Sequence, residues 1–199
     1  MRILIGSNNQ KKMKELQALL GEYGVELVTP AMLGLALEPE ETGATFEENS
    51  LIKATAFSEA TGLPCIADDS GLEVAALGGR PGVYSARYAG ENASDSEKMD
   101  KLLGELEGVG DRAARFVSVA TYRAPDGTVI QARGECPGEI LHEKRGTNGF
   151  GYDPIFFCTE AGECFGEISA GEKAKYSHRG RSLALLKEKL RPILEDKNA

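Results

Sequence analysis

Two adjacent carboxylates, Asp68 and Asp69, stand in the stretch IADDSG, directly after a short apolar run and directly before Ser70 and Gly71. Leu63, Cys65, Ile66 and Ala67 read as a strand, while Ser and Gly are turn formers, so the pattern predicts a strand that ends at the two acids. In open α/β sheets, ligands gather outside the carboxyl ends of the strands, where such acids can hold a cation or activate a water. A solvated acidic turn uses the same residue types, and the pair alone leaves both readings open.

Further chemistry-bearing residues are spread along the chain. SNNQKK, comprising Ser7, Asn8, Asn9, Gln10, Lys11 and Lys12, lies between the apolar run Arg2 to Gly6 and a helical spacing in Met13, Leu16, Leu19 and Leu20. Ser7, Asn8 or Asn9 can cap that helix, and first-turn N–H groups beside two lysines would seat a phosphate. The plainer alternative is a capped surface helix with solvated lysines, since the glycines of a Walker loop are missing. Glu38, Glu40 and Glu41 crowd together in a loop, which on its own reads as a solvated cluster. Lys53 lies inside a predicted helix and either faces solvent or projects toward the acids. Phe150 and Tyr152 stand among the glycines of GTNGFGYDP, as ring-stacking residues or as anchors of the loop. His178 and Arg179, in SHRGRS, fall at or just before a helix start, where a cap, a surface residue or a ligand contact are all open readings.

The elements that must carry these residues read as alternating strands and helices with one hairpin. Val25 to Thr29 forms a second strand. Thr45 and Glu48 make a capping box that opens a helix through about Ala60, with Gly62 and Pro64 as its stop. Ser94 and Glu97 make another, ahead of an apolar stripe in Met99, Leu102, Leu103 and Leu106. Between them, LEVAALGGRPGVYSARYAG reads as an ordered loop. Arg115 to Arg123 and Thr128 to Cys136, joined at Asp126 and Gly127, predict a hairpin, and Ile155 to Phe157 another strand. Leu183, Leu185, Leu186 and Leu190 mark a closing helix interrupted near its end by Pro192. An antiparallel hairpin among βα units implies an α/β fold with a mixed sheet and a second lobe. With no linker in 199 residues, one domain of two lobes spans 1–199.

Composition narrows the partners. The 31 acidic residues exceed the 23 basic ones, a net charge of -8, which argues against coating DNA or an anionic membrane. An anionic substrate then needs local lysines and arginines, backbone N–H groups or a divalent cation. Cys65, Cys136, Cys158 and Cys164 show no CxxC spacing, and His142 and His178 are the only histidines. That pattern predicts free thiols of a reducing compartment and no zinc site. Neither a signal-peptide core nor a membrane-length apolar run is present, so a soluble cytoplasmic protein is expected.

Together these pieces are what a magnesium-bound nucleotide requires: lysines and N–H groups for phosphates, oxygen ligands for the cation, and an aromatic face plus donors for a purine. The segments SNNQKK, EETGATFEENSLIKA, IADDSGLEVAALGGRPGVYSARYAG, GTNGFGYDPIFF and EKAKYSHRGRSLALL resemble, in order and spacing, the inosine triphosphate pyrophosphatase family, also called Ham1-like. The resemblance spans essentially the whole chain. It implies a long bent mixed sheet flanked by helices, two lobes with a central cleft holding the active site, and a homodimer. The implied reaction converts a nucleoside triphosphate and water to monophosphate and pyrophosphate, with Mg²⁺ and with ITP, dITP and XTP preferred.

By the same resemblance, Glu41 and Asp69 hold the cation, with Glu40 or Asp68 as further ligands, and Asp69 activates the water. Asn9 and Lys12 match the phosphate-loop positions, whereas Ser7 and Asn8 replace the more frequent Thr and Gly. Asn8 is therefore expected to accept a backbone shape that Gly favours. Lys12 and Lys53 neutralise phosphate oxygens, and Asn9 and Ser70 orient them. Lys173, His178 and Arg179 read the base, Phe150 stacks on it, and Gly151, Tyr152 and Asp153 shape the pocket. Two rivals use the same inventory: a Maf-like nucleotide pyrophosphatase with another base preference, and a nucleotide-binding sensor without hydrolysis.

Overall fold

The computed structural model describes residues 1–196, the side chains of Lys11 and Asp196 excepted. Seven strands, β1 (Arg2–Ile5), β2 (Glu26–Val28), β3 (Cys65–Val74), β4 (Ala113–Arg123), β5 (Val129–Ile140), β6 (Phe156–Cys158) and β7 (Glu163–Cys164), form one open sheet in the order β2-β1-β3-β4-β5-β6-β7. Strand β1 pairs in parallel with β2 and β3, whereas β6 pairs antiparallel with β5 and β7, so the sheet is mixed. The helices are α1 (Gln10–Leu20), α2 (Phe46–Thr61), α3 (Asp95–Glu105), α4 (Ala170–Ala174) and α5 (His178–Asp196).

The chain divides into two compact units. The first holds Met1–Asp69, Ser118–Gly134 and the stretch from Arg181, and the second holds Ser70–Val117 and Glu135–Gly180. In the first, strand alternation hands successive side chains to opposite faces. Ile3, Ile5 and Ile66 join Leu16 and Leu20 of α1 and Leu183, Leu186 and Leu190 of α5 in one buried cluster. Leu4, Val28 and Cys65 join Phe57 of α2 in another. Helices therefore cover both faces of β1 and of the start of β3, which is why these strands read as unbroken apolar runs. In the second unit, Leu72 and Val74 of β3 share a cluster with Met99 and Leu102 of α3, Phe116 of β4 and Phe156 of β6.

Both capping boxes form as their spacing predicts, Glu48 N donating to Thr45 Oγ1 at 3.1 Å and Glu97 N to Ser94 Oγ at 3.2 Å. Three expectations are corrected. Strand β3 does not end at the acids but runs on to Val74, because Leu72 and Val74 continue the alternation into a buried core that Ser70 and Gly71 alone do not reveal. LEVAALGGRPGVYSARYAG is consequently part strand and part 3-10 turns at Ala75–Leu77 and Gly82–Arg87. Helix α5 continues through Pro192, with buried Leu190 and Leu194 on either side of it supplying the packing that offsets one lost backbone bond.

All four cysteines are free and buried, and burial pushes the Cys65 thiol up to about 12, which removes it as a nucleophile at neutral pH. Among the described residues no helix is long and apolar enough to cross a membrane. The pairing of β5 with β6 leaves no space at Gly138, opposite Cys158: a Cβ there would lie 2.3 Å from the Phe157 carbonyl oxygen and 2.4 Å from Phe156 Cζ. Gly138→Ala is expected to destabilise the protein by about 1–3 kcal/mol, the usual cost of overpacking. Urea denaturation measures it, and wild-type stability would contradict this register.

Candidate active site

Because Asp68 and Asp69 are consecutive on β3, they face opposite sides of the strand. Asp68 shares the parity of Ile66 and lies toward α1, where its Oδ1 accepts from Lys12 Nζ at 2.6 Å. Asp69 shares the parity of Cys65 and lies toward α2, where Lys53 Nζ stands 3.7 Å from Asp69 Oδ1 and 3.1 Å from Glu41 Oε1. Each acid thus meets its own lysine, and one lysine is shared by two acids. Lys53 faces these carboxylates rather than solvent, its side chain only 15% exposed.

Glu41 reaches this position because its loop is stitched to the first turn of α2. Gly43 N donates to Asn49 Oδ1 at 2.8 Å, and Ala44 N donates to Glu48 Oε2 at 2.6 Å. Glu40, next to it, is exposed. Among the described residues no three Asp, Glu, His or Cys side chains converge as a ready-made metal cage. Two carboxylates facing one ammonium are nevertheless a donor set that suits Mg²⁺, which takes one or two carboxylates and completes its shell with water and substrate phosphate oxygens.

The SNNQKK segment builds the start of α1. Asn9 caps it, its Oδ1 accepting from Lys12 N at 3.4 Å, while Ser7 Oγ accepts from Asn9 N at 3.1 Å. Asn8 Oδ1 is taken by Ala31 N at 2.9 Å, so this side chain ties the loop to the segment after β2. No described non-glycine residue has a positive φ, so Asn8 adopts ordinary backbone and not the glycine-like shape expected of it. Gln10 opens α1 and is exposed, and the side chain of Lys11 lies outside the described residues.

The second unit contributes a pocket of its own. Ser70, Phe150, Gly151, Tyr152, Asp153, Lys173, His178 and Arg179 all line it, together with Ser85, Asp95, Lys98 and Phe116. His178, the first residue of α5, is buried and stacks on Phe116 with ring centroids 4.9 Å apart and planes 14° from parallel. Tyr152 is an anchor, its hydroxyl donating to Ser85 O at 2.8 Å, and burial pushes its phenol upward. Phe150 is the opposite case, 56% exposed and presenting a ring face with Lys173 Nζ 4.6 Å from its centroid.

Asp153 is the hinge of this arrangement. Only 1% exposed, it accepts from Lys173 Nζ and, at 3.0 Å, from Phe150 N. Gly149, at φ 76°, lets the loop close, since a Cβ there would sit 2.0 Å from Asp153 Oδ2. Burial pushes the Asp153 carboxyl up from its ordinary 3.8, and the Lys173 ammonium and the Phe150 N–H pull it the other way. Sequence reasoning missed Ser85, Asp95, Lys98 and Phe116. Asp95 stands directly after the capping Ser94, so its only local signal was that of a favourable first-turn acid.

The fold is thus that of an α/β protein with an open mixed sheet, a carboxylate–lysine cluster in one unit and a cationic, aromatic pocket in the other. The chain belongs to the Ham1 family, whose model matches residues 3–189. It is 48% identical over 193 residues to a dITP/XTP pyrophosphatase of Haemophilus influenzae, covering 95% of this chain and 98% of that protein. A dITP/XTP pyrophosphatase of Desulfotalea psychrophila is 46% identical over 193 residues, with 97% and 86% covered. Among solved structures, the Staphylococcus aureus Ham1 protein superposes with a TM-score of 0.92 at 42% identity, with 96% of this chain and 99% of that one covered.

Removing Lys173 leaves the Asp153 carboxylate buried without its countercharge, so Lys173→Met is expected to cost about 3 kcal/mol at neutral pH. With the ammonium gone, the folded pKa of Asp153 rises further above the unfolded value near 3.8. The folded state then binds a proton that the unfolded chain releases, so stability is retained at low pH and lost as pH rises through the folded pKa. Urea denaturation should show a larger loss at pH 8 than at pH 5. Equal losses would mean that the two groups do not interact.

Proposed function

We propose that this protein hydrolyses dITP, ITP and XTP between the α- and β-phosphates, giving the monophosphate and pyrophosphate, with Mg²⁺ as cofactor, and that it acts as a cytoplasmic homodimer. The observation that carries this reading is the ion-pair pattern around β3: Lys53 against Glu41 and Asp69, and Lys12 against Asp68. Each pair sets a cationic group against an anionic one, the two kinds of group that a magnesium nucleotide requires. The ammonium groups of Lys12 and Lys53 suit phosphate oxygens, and the carboxylates of Glu41 and Asp69 would suit the cation. The dITP/XTP pyrophosphatase relatives support the choice of reaction and base.

Attack at the α-phosphorus needs an activated water, an in-line approach and neutralisation of the leaving pyrophosphate. Glu41 and Asp69 would hold Mg²⁺, with Glu40 the further candidate. The bound cation supplies charge neutralisation on the triphosphate. Asp69 takes the proton of the attacking water, and Asp68 serves as counter-ion of Lys12. Lys12 and Lys53 bind phosphate oxygens, while Asn9, Ser70 and the first-turn N–H groups of α1 orient them.

Hypoxanthine and xanthine present an acceptor at O6 where adenine presents an amino donor. Lys173, His178 and Arg179 supply donors, so adenine would leave buried donors unmatched, and Phe150 offers its face to the ring. A sensor without hydrolysis has no need of the Glu41–Lys53–Asp69 arrangement, which favours an enzyme.

The purified protein with Mg²⁺ and a panel of ITP, XTP, GTP, ATP and pyrimidine triphosphates is expected to release pyrophosphate, fastest from ITP and XTP. Orthophosphate as first product, or a pyrimidine preference, would overturn the reading. Asp69→Asn should lower kcat at least about a hundredfold, within the usual reach of a lost general base, in a protein that remains folded, since Glu41 still pairs with Lys53. Near-normal turnover would remove Asp69 from its role. Arg179→Ala should lower kcat/KM for ITP about tenfold more than for ATP, the discrimination that one charged hydrogen bond supplies. Equal losses would remove Arg179 from base reading.

A further inference from the structure

We infer that Asp95 is a positioning residue for base recognition: its carboxylate fixes the peptide that follows Phe150, and so the direction of the ring that meets the purine. The inference rests on the reading of this pocket as the base site. Asp95 opens α3, and its two oxygens take different partners. Oδ2 accepts from Gly151 N at 2.6 Å, and Oδ1 pairs with Lys98 Nζ at 2.7 Å.

The consequence lies in what surrounds Phe150. Its own N–H donates to Asp153 Oδ2, and the next N–H, that of Gly151, donates to Asp95 Oδ2. Both peptide groups flanking the Phe150 Cα therefore end on carboxylates, one from Asp153 within the same loop and one from Asp95, far away in the sequence. They need to, because Gly149 and Gly151 have φ of 76° and 62°, and glycine enters and leaves that region readily. The ring is largely exposed and gains little direction from packing, so the backbone must provide it. Lys98 is well placed to keep Asp95 ionised, its side chain 12% exposed, and the carboxyl is held below its ordinary value chiefly by that lysine. Hydrogen bonds to an ionised acceptor are about twice as strong as neutral ones, so this tether is the kind that holds a loop.

An acid in the first turn of a helix also has a purely structural use, and the test must separate the two. Steady-state kinetics on ITP are measured for the wild type, Asp95→Ala and Asp95→Asn, with inorganic tripolyphosphate, which carries no base, as competitive inhibitor. Asp95→Ala is expected to raise KM for ITP about tenfold, with kcat within about twofold and tripolyphosphate inhibition unchanged. Asp95→Asn keeps an oxygen for Gly151 and should recover most of the loss. Unchanged KM in Asp95→Ala, equal weakening of ITP and tripolyphosphate, or an Asp95→Asn protein as impaired as Asp95→Ala would overturn the inference. Wild-type cleavage of ITP in the same assay tests the base-site reading itself, so the two failures are distinct. Should Asp95→Ala not fold, the wild-type protein still decides: the Gly151 amide should be protected from hydrogen exchange, and a freely exchanging one would overturn the tether.

Discussion

Strand alternation at Asp68 and Asp69 is the constraint on which the first unit's chemistry depends. Two carboxylates placed side by side in one crevice would repel each other, and one of them would be held protonated. On a continuous strand they diverge instead, Asp68 to Lys12 of α1 and Asp69 to Lys53 of α2. Each acid then lies beside an ammonium group, and each lysine has a defined partner. The third acid, Glu41, joins from a loop whose backbone is tied to the start of α2, so it approaches Lys53 from a different element. Because the β3 backbone is shared, the two ion pairs cannot shift independently of the strand.

The second unit solves a different problem, that of aiming an exposed aromatic ring from a loop containing three glycines between Gly146 and Gly151. Asp153 and Asp95 each take one peptide N–H, and each acid carries a lysine of its own, Lys173 and Lys98. The device is the one seen around β3, where buried or half-buried carboxylates are set against lysines, although there Lys53 serves both Glu41 and Asp69. In the loop the pairs hold backbone in place, whereas along the strand the backbone holds the pairs. A buried ion pair adds little net stability, since desolvation offsets most of its attraction, but losing one partner is costly. Such pairs therefore act mainly to specify geometry.

Much of the architecture was legible because it rests on short-range physics. Thr45 with Glu48 and Ser94 with Glu97 announce helix starts through bonds within one turn, and the hairpin of β4 and β5 follows from alternation around Asp126 and Gly127. The extent of β3 was not legible. Ser70 and Gly71 carry turn propensity, and only buried neighbours for Leu72 and Val74 override it. Pro192 likewise breaks helices by local rules, yet α5 passes through it on the strength of Leu190 and Leu194. For the site, residue types in recognisable segments pointed to Lys12, Lys53, Lys173 and His178. Asp95 and Lys98 had no such marker, because Asp95 matters through a contact to a loop more than fifty residues away, and Lys98 through its pairing with Asp95.

The sequence by itself determined the order of elements, the caps that start α2 and α3, the membership of the Ham1 family, and which segments bear acids, lysines and rings. Those features depend on neighbours within a few residues or on motif spacing along the chain. Only the tertiary structure decided which acid meets which lysine, that Tyr152 anchors while Phe150 stays exposed, and that IADDSG lies within a strand rather than at its end. Those outcomes follow from burial and from charge partners that come together only when distant segments pack. The stretch that began as a pair of like charges is, in the folded chain, two separate ion pairs on opposite faces of β3.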